Sequence, residues 1–184
     1  MAGPLVFLVD TVVTFFAMLL VARFLLQALR VSFRNPVGEF LMATTNWMVV
    51  PARRVVPSLG GYDSATLLLA LAVQFLGLLL VAAIVGRPSS PLALVALALV
   101  DLVRFALYIL VFAVIVQVVF SWVNPHAPLA PVFDAVTRPF LRPIRRLVPL
   151  IGSVDLSPAI LFLVLQLLLQ FMVPALAAAA ASLG

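Results

Sequence analysis

Four stretches of this chain are almost free of polar side chains: roughly Leu5–Leu29, Ala65–Val85, Pro91–Val119 and Pro158–Ala181. A helix needs about 20 residues to cross the hydrocarbon of a bilayer, so the pattern predicts four transmembrane helices. The link between the second and third stretches is short. Those inside each pair run to about 30 residues, too long for a simple turn and too short for a domain with its own core. In the first of these connectors Val37, Phe40, Leu41, Trp47 and Met48 recur at helical spacing against Glu39, Thr45 and Asn46. In the second, Leu129, Val132, Phe133, Val136, Phe140, Ile144 and Leu147 alternate with Asp134, Thr137, Arg138, Arg142, Arg145 and Arg146. Both patterns predict amphipathic helices lying along the membrane surface, apolar side down. Pro128, Pro131, Pro139, Pro143 and Pro149 cannot all sit comfortably inside one helix, which predicts two short helices with a break near Pro139. A connector broken in that way can dip into the bilayer if protein or water covers its backbone.

The two connectors end alike. Pro51–Gln74 and Pro143–Gln166 lie 92 residues apart, and ten of their 24 aligned positions are identical. The shared residues include all of a P-x-R-R-x-V-P-x-x-G-x-x-D pattern running straight into the next apolar stretch. A duplicated two-span unit follows, residues 1–88 and 89–184. Each unit has an even number of spans, so both copies enter the membrane in the same sense, as parallel repeats. The expected fold is an all-α membrane protein of four transmembrane helices, arranged as two parallel two-helix repeats with amphipathic helices in the connectors.

Charge adds sidedness. All eleven basic residues are Arg, and eight of them (Arg30, Arg34, Arg53, Arg54, Arg138, Arg142, Arg145, Arg146) fall in the two connectors. The positive-inside rule then puts both connectors in the cytoplasm and both termini outside. A cleaved signal peptide would need a basic n-region, which Met1–Leu8 lacks. Composition agrees with a membrane protein: 66% hydrophobic, 9% charged and a mean hydropathy of +1.31, against about 25% charged in soluble domains. With no Cys the chain can form neither a disulfide nor a thiolate metal site.

The polar residues that remain are few enough to weigh singly. Arg53/Arg54 and Arg145/Arg146 precede an Asp by nine or ten positions. They can snorkel to lipid phosphates, or one of each pair can bind Asp63 or Asp155; both readings hold together if the two arginines divide the work. Asp155-Leu156-Ser157-Pro158 reads as a helix start, with Asp or Ser as cap and Pro in the first turn; the first copy keeps the capping Asp63 and lacks the Pro. Within the spans, Asp10, Arg23, Gln74, Asp101, Arg104 and Gln166 are costly to place in hydrocarbon and invite a functional reading. Asp101 and Arg104 stand three apart and can neutralise one another; Asp10, 91 residues before Asp101, is an alternative partner for Arg104. Gln74 and Gln166 match across the repeat and can bond between helices. His126 is the lone histidine, which makes a protein-only metal site improbable.

No phosphate-binding glycine loop, nucleophile elbow or zinc-binding helix is present, so the chain reads as not an enzyme and as needing no cofactor. The arginines follow the membrane-flanking segments, with no soluble fold to present them to nucleic acid.

The second copy closely resembles the signature of the YggT family, also called YlmG. The likeness is carried by Ser121, Trp122, Val123, Asn124 and Pro125, by Pro131, by Thr137–Pro149 with its Pro143, and by Gly152–Pro158 with Asp155 and Ser157. The first copy matches through Arg23–Gln27, Asn35-Pro36, Pro51–Pro57 and Asp63-Ser64-Ala65. The resemblance implies a duplicated bacterial inner-membrane protein with no established enzymatic activity. It also implies links to osmotic-stress tolerance, to cell division and nucleoid organisation and, in plastid relatives, to cytochrome bf assembly through haem attachment. The first copy departs from the pattern at Trp47, where Pro is expected, and in lacking Ser-Pro after Asp63, so it reads as the more structural half. The expected function is a non-catalytic scaffold or assembly factor whose arginine connectors meet lipid, a membrane-protein partner or a second copy. The alternative is an ion or osmolyte pathway between repeats or in an oligomer.

Overall fold

The computed structural model describes residues 2–87, 89–148 and 155–183; Pro149 and Gly152 of the repeated pattern lie outside them. The described chain is helical without a named strand: α1 (Ala2–Ala28), α2 (Pro36–Val55), α3 (Ser64–Val85), α4 (Pro91–Val123), α5 (Ala130–Leu147), α6 (Ser157–Leu167) and α7 (Val173–Ala181). A π-helical turn, Leu168–Met172, joins α6 to α7 without a break. Four helices are long and apolar enough to cross a membrane: Gly3–Ala28, Ser64–Val85, Pro91–Val123 and Ser157–Ala181. Their alternation puts the connector helices α2 and α5 at one end of the bundle. The α3–α4 turn and the C-terminus share the other end, where the Ser90 hydroxyl donates to the Leu183 carbonyl at 2.9 Å.

The sequence explains each boundary. Asn35 caps α2, its Oδ1 accepting from the Gly38 N–H at 2.9 Å, with Pro36 pre-set for the first turn. Gly38 is required there: a Cβ would lie 2.6 Å from the Phe33 Cα and carbonyl oxygen. At the end of α1 the Val31 N–H reaches the Leu26 carbonyl and the Arg30 N–H that of Gln27. This Schellman closure puts Arg30 in the left-handed region at φ 56°. Gly86 closes α3 in the same region at φ 70°.

α1 packs along α3, and Gly77 leaves the space that the Val13 side chain occupies; small residues of this kind allow close helix packing in membranes. α4 touches α1, α3, α5, α6 and α7, and it contributes to both buried clusters. One cluster gathers Ala17, Leu20, Val49, Ala70, Leu102 and Phe105. The other joins Leu107, Leu110 and Val114 to Val132, Val136 and Leu141 of α5 and to Leu161 and Leu165 of α6. Outward, the spans present Phe7, Leu68, Leu80, Phe112, Leu163 and Phe171, a surface suited to lipid tails.

Two features depart from the sequence expectation. α5 runs unbroken through Pro139 and Pro143, where a break was expected. The two prolines stand one turn apart on the exposed side of the helix, so the carbonyls they leave unpaired have access to solvent or headgroups. The opposite side buries Val132, Val136 and Leu141, worth about 1.5–3 kcal/mol each, and this offsets the lost hydrogen bonds. The fourth span, expected as a plain helix, carries the π turn. Pro174 lacks the N–H that would bond the Gln170 carbonyl and its ring crowds that carbonyl; a widened turn accommodates both.

Candidate functional site

The repeated arginine pair divides its work. In the first copy the Arg53 guanidinium grips Asp63 with two N–H groups, Nε to Oδ1 at 3.3 Å and Nη2 to Oδ2. The same carboxylate accepts from the Thr66 N–H at 3.3 Å and the Thr66 hydroxyl at 2.6 Å. Asp63 thus caps α3 and ties the end of α2 to it. Its side chain is 8% exposed while that of Arg53 is 48% exposed. Burial alone would push the Asp63 carboxyl up; the bonds from Arg53 and Thr66, with the Arg53 charge, outweigh burial and hold it below the usual carboxylate range. Arg54 is exposed and has no carboxylate partner among the described residues.

The second copy repeats the arrangement more loosely. Arg145 Nε donates to Asp155 Oδ2 at 2.8 Å, with Asp155 30% exposed. The first-copy bond to Thr66 has no counterpart, because position 158 is Pro and offers no N–H; Asp155 Oδ1 takes the Ser157 N–H instead, at 2.9 Å. Ser157 itself is fully buried and Pro158 sits in the first turn of α6. Here too burial raises the carboxyl, and its contacts with Ser157 and Arg145 outweigh that, for a net shift below the usual range. Arg142 and Arg146 are exposed without a carboxylate partner among the described residues, while Arg138 pairs with Asp134 one turn back.

Thr45 and Thr137, 92 residues apart and both fully buried, mark a second correspondence between the copies. Thr45 Oγ1 accepts from Arg23 Nη1 at 2.7 Å, and Asn46 Oδ1 accepts from the same nitrogen at 2.9 Å. Arg23 is 4% exposed. In the second copy Thr137 donates to Gln117 Oε1 at 2.7 Å: a neutral amide takes the place of the guanidinium. One turn after Arg23, Gln27 donates to the Gly61 carbonyl at 2.8 Å and accepts from the Asp63 N–H at 3.1 Å. It thereby fixes the loop before α3. The sequence pattern set Thr45 and Thr137 on the polar sides of the connector helices, where both are instead fully buried, and it did not consider Gln117; the 92-residue spacing of the two threonines was the signal that could have found their shared role.

Between α3 and α4, Gln74 Nε2 donates to Asp101 Oδ2 at 2.9 Å, and Asp101 Oδ1 meets Arg104 Nη1 at 2.9 Å. The Gln74–Asp101 bond joins the two copies across the α3–α4 contact. Gln74 Oε1 is buried and has no hydrogen-bond partner among the described residues. Asp10 is exposed on α1 and makes no ion pair among them; Arg104 takes Asp101 instead. Gln166 is half-buried and makes no side-chain hydrogen bond among the described residues, so only the first of the two matched glutamines bridges helices. Pro51 lies on the exposed side of α2, and the Pro57 carbonyl accepts from the Ser64 hydroxyl at 2.5 Å. Trp122 and Pro125 are exposed at the end of α4, and Asn124 Oδ1 accepts from the His126 N–H at 3.2 Å. No cluster of metal-ligating side chains occurs among the described residues.

A cleft of about 400 Å³ opens between the ends of α1 and α2 and the start of α3, lined by Gln27, Arg53, Val56, Ser58, Gly61 and Asp63.

The model of the CCB3/YggT family matches residues 2–84 and again 96–176. A protein of Vibrio alginolyticus described as an uncharacterised protein in the proC 3′ region is 35% identical over 87% of this chain and 88% of its own length. An uncharacterised protein of Pseudomonas aeruginosa is 31% identical over 94% of this chain and 90% of its own. The uncharacterised protein YggT of Escherichia coli is 34% identical over 90% and 87%. No solved structure matches.

Proposed function

Since the chain belongs to the CCB3/YggT family, whose relatives above carry no enzymatic name, we propose that it is a non-catalytic membrane scaffold that uses its arginine connectors to hold a membrane-protein partner. The observation that carries this reading is the division of the arginine pairs. Arg53 and Arg145 are spent on the aspartates at the starts of the second and fourth spans, while Arg54, Arg142 and Arg146 remain exposed without carboxylate partners among the described residues. Beside the free arginines stand Val55 and Leu147, each 83% exposed and 92 positions apart. A cation next to an uncovered apolar side chain, presented twice at one end of the bundle, suits a partner with an acidic and apolar membrane-proximal surface.

In this reading the protein sits in a bacterial inner membrane with both connectors in the cytoplasm, and the roles in stress tolerance or cell division follow from the partner it organises. The Asp101–Arg104 pair within the third span supports a structural use of the charges in the spans over a conducting one. A photo-crosslinking residue placed at Leu147 or Val55 in native membranes is expected to capture the same protein reproducibly, with capture lost on Arg146→Gln or Arg54→Gln respectively. Retrieval of lipid alone overturns the proposal.

A further inference from the structure

The first copy carries a positive charge that the second does not. Arg23 is buried, bonds the neutral Thr45 and Asn46, and makes no ion pair among the described residues. One turn further along α1, Gln27 binds the Asp63 N–H, which brings the Arg53–Asp63 pair to this end of the helix; Asp63 is already fully engaged, since Arg53 and Thr66 together supply four hydrogen bonds to its two oxygens. Two guanidiniums therefore share one carboxylate, leaving a surplus of one positive charge beside the cleft. A buried cation without a paired anion is costly. In the second copy the equivalent place holds Gln117 on Thr137, and Arg145 with Asp155 comes to neutrality. Arg53 also has donors to spare: a guanidinium has five N–H groups, and Asp63 takes two.

We propose that this cleft binds a phosphodiester monoanion, the headgroup of a phospholipid, with Arg53 as the contacting guanidinium, Ser58 as a neutral donor and Arg23 as the buried countercharge. The phosphate supplies the single negative charge that the cluster lacks. A phospholipid suits the place better than a soluble phosphate, because residues next in sequence to the lining Ser58 and Gly61 are apolar and uncovered: Leu59 and Tyr62 are 67% and 54% exposed, a surface that acyl chains cover and free phosphate does not. The inference does not depend on the partner reading, which rests on Arg54 and Val55 in this copy, whereas the cleft is lined by Arg53 and Ser58.

The second copy supplies the diagnostic variant. Arg23→Gln installs in the first copy the Gln–Thr pairing that the second already uses, so it is expected to fold while removing the surplus charge. Full-length protein in detergent, titrated with dihexanoyl phosphatidylglycerol and followed by native mass spectrometry, is expected to bind one lipid tightly. Arg23→Gln is expected to weaken that binding roughly tenfold, through the lost attraction of a nearby charge that does not itself touch the phosphate. Arg53→Lys keeps the charge and the Asp63 pair but loses the fork, and is expected to weaken binding as well; it provides the readout if Arg23→Gln does not fold. Arg34→Gln, an exposed connector arginine without a carboxylate partner among the described residues, is expected to bind like wild type. Three results each overturn the proposal: undiminished binding by both cleft variants, an equal loss in Arg34→Gln, or sodium phosphate competing at the lipid's own concentration, which would mark a soluble-phosphate site.

Discussion

Replacing Asp63 with Ala removes the cap of α3 and the α2–α3 tie together, and the structure lets the cost be divided. Losing a side-chain cap costs about 1 kcal/mol. Thr66, whose N–H makes that cap bond, is fully buried, so its hydroxyl also loses an acceptor where water cannot replace it, at roughly 1–3 kcal/mol. Arg53 is 48% exposed and rehydrates, so its pair adds at most about 1 kcal/mol. The total is about 3 kcal/mol. Asp155→Ala loses a single N–H contact and an Arg145 pair whose two members are 42% and 30% exposed, for about 1 kcal/mol. Unfolding of the purified protein by SDS titration, followed by circular dichroism, measures both. The expected difference of about 2 kcal/mol has a matching pH signature. Because the folded-state carboxyl of Asp63 is held below its usual range, its contribution is fully present above the unfolded pKa and fades as pH falls through the folded one. The gap between wild type and Asp63→Ala is therefore flat near neutrality and narrows below about pH 4. Equal losses in the two variants, or a gap that widens in acid, would refute the reasoning.

Gly38→Ala is expected to cost about 2 kcal/mol or more, because its Cβ would meet Phe33 backbone at 2.6 Å; the same SDS titration reads it, and a wild-type midpoint would mean that α2 can shift freely at its start. Gln74→Leu loses one interhelical bond, about 0.6 kcal/mol, but also removes a buried unpaired oxygen, so its midpoint is expected to stay within about 0.5 kcal/mol of wild type. Gln74→Glu sets a carboxylate against Asp101 and is expected to destabilise clearly at neutral pH, with recovery in acid. A large loss in Gln74→Leu, or none in Gln74→Glu, contradicts the placement of this cluster.

The four spans and the duplicated unit were legible in the chain itself, because an apolar run of helical length and a repeat at fixed spacing are properties of adjacent and aligned residues. Capping by Asp63 was equally local, since the acceptor and the N–H it serves lie within one turn; the Asn35 cap of α2 is just as local and was not read from the sequence. What the sequence left open was partnership. It offered Arg53 and Arg54 as equivalent, and it allowed Arg104 either Asp10 or Asp101. Packing chose, because only one guanidinium of each pair reaches the next span's aspartate, and only Asp101 shares a helix side with Arg104. The prolines of α5 misled for a related reason. Propensity counts a lost hydrogen bond, but not the buried valines and leucine on the opposite side that hold the helix together. The surplus charge of Arg23 was invisible in one dimension, since its counterpart Gln117 does not fall at the 92-residue spacing of the repeat. The equivalence exists only because two threonines that do keep that spacing turn toward different neighbours in the folded bundle.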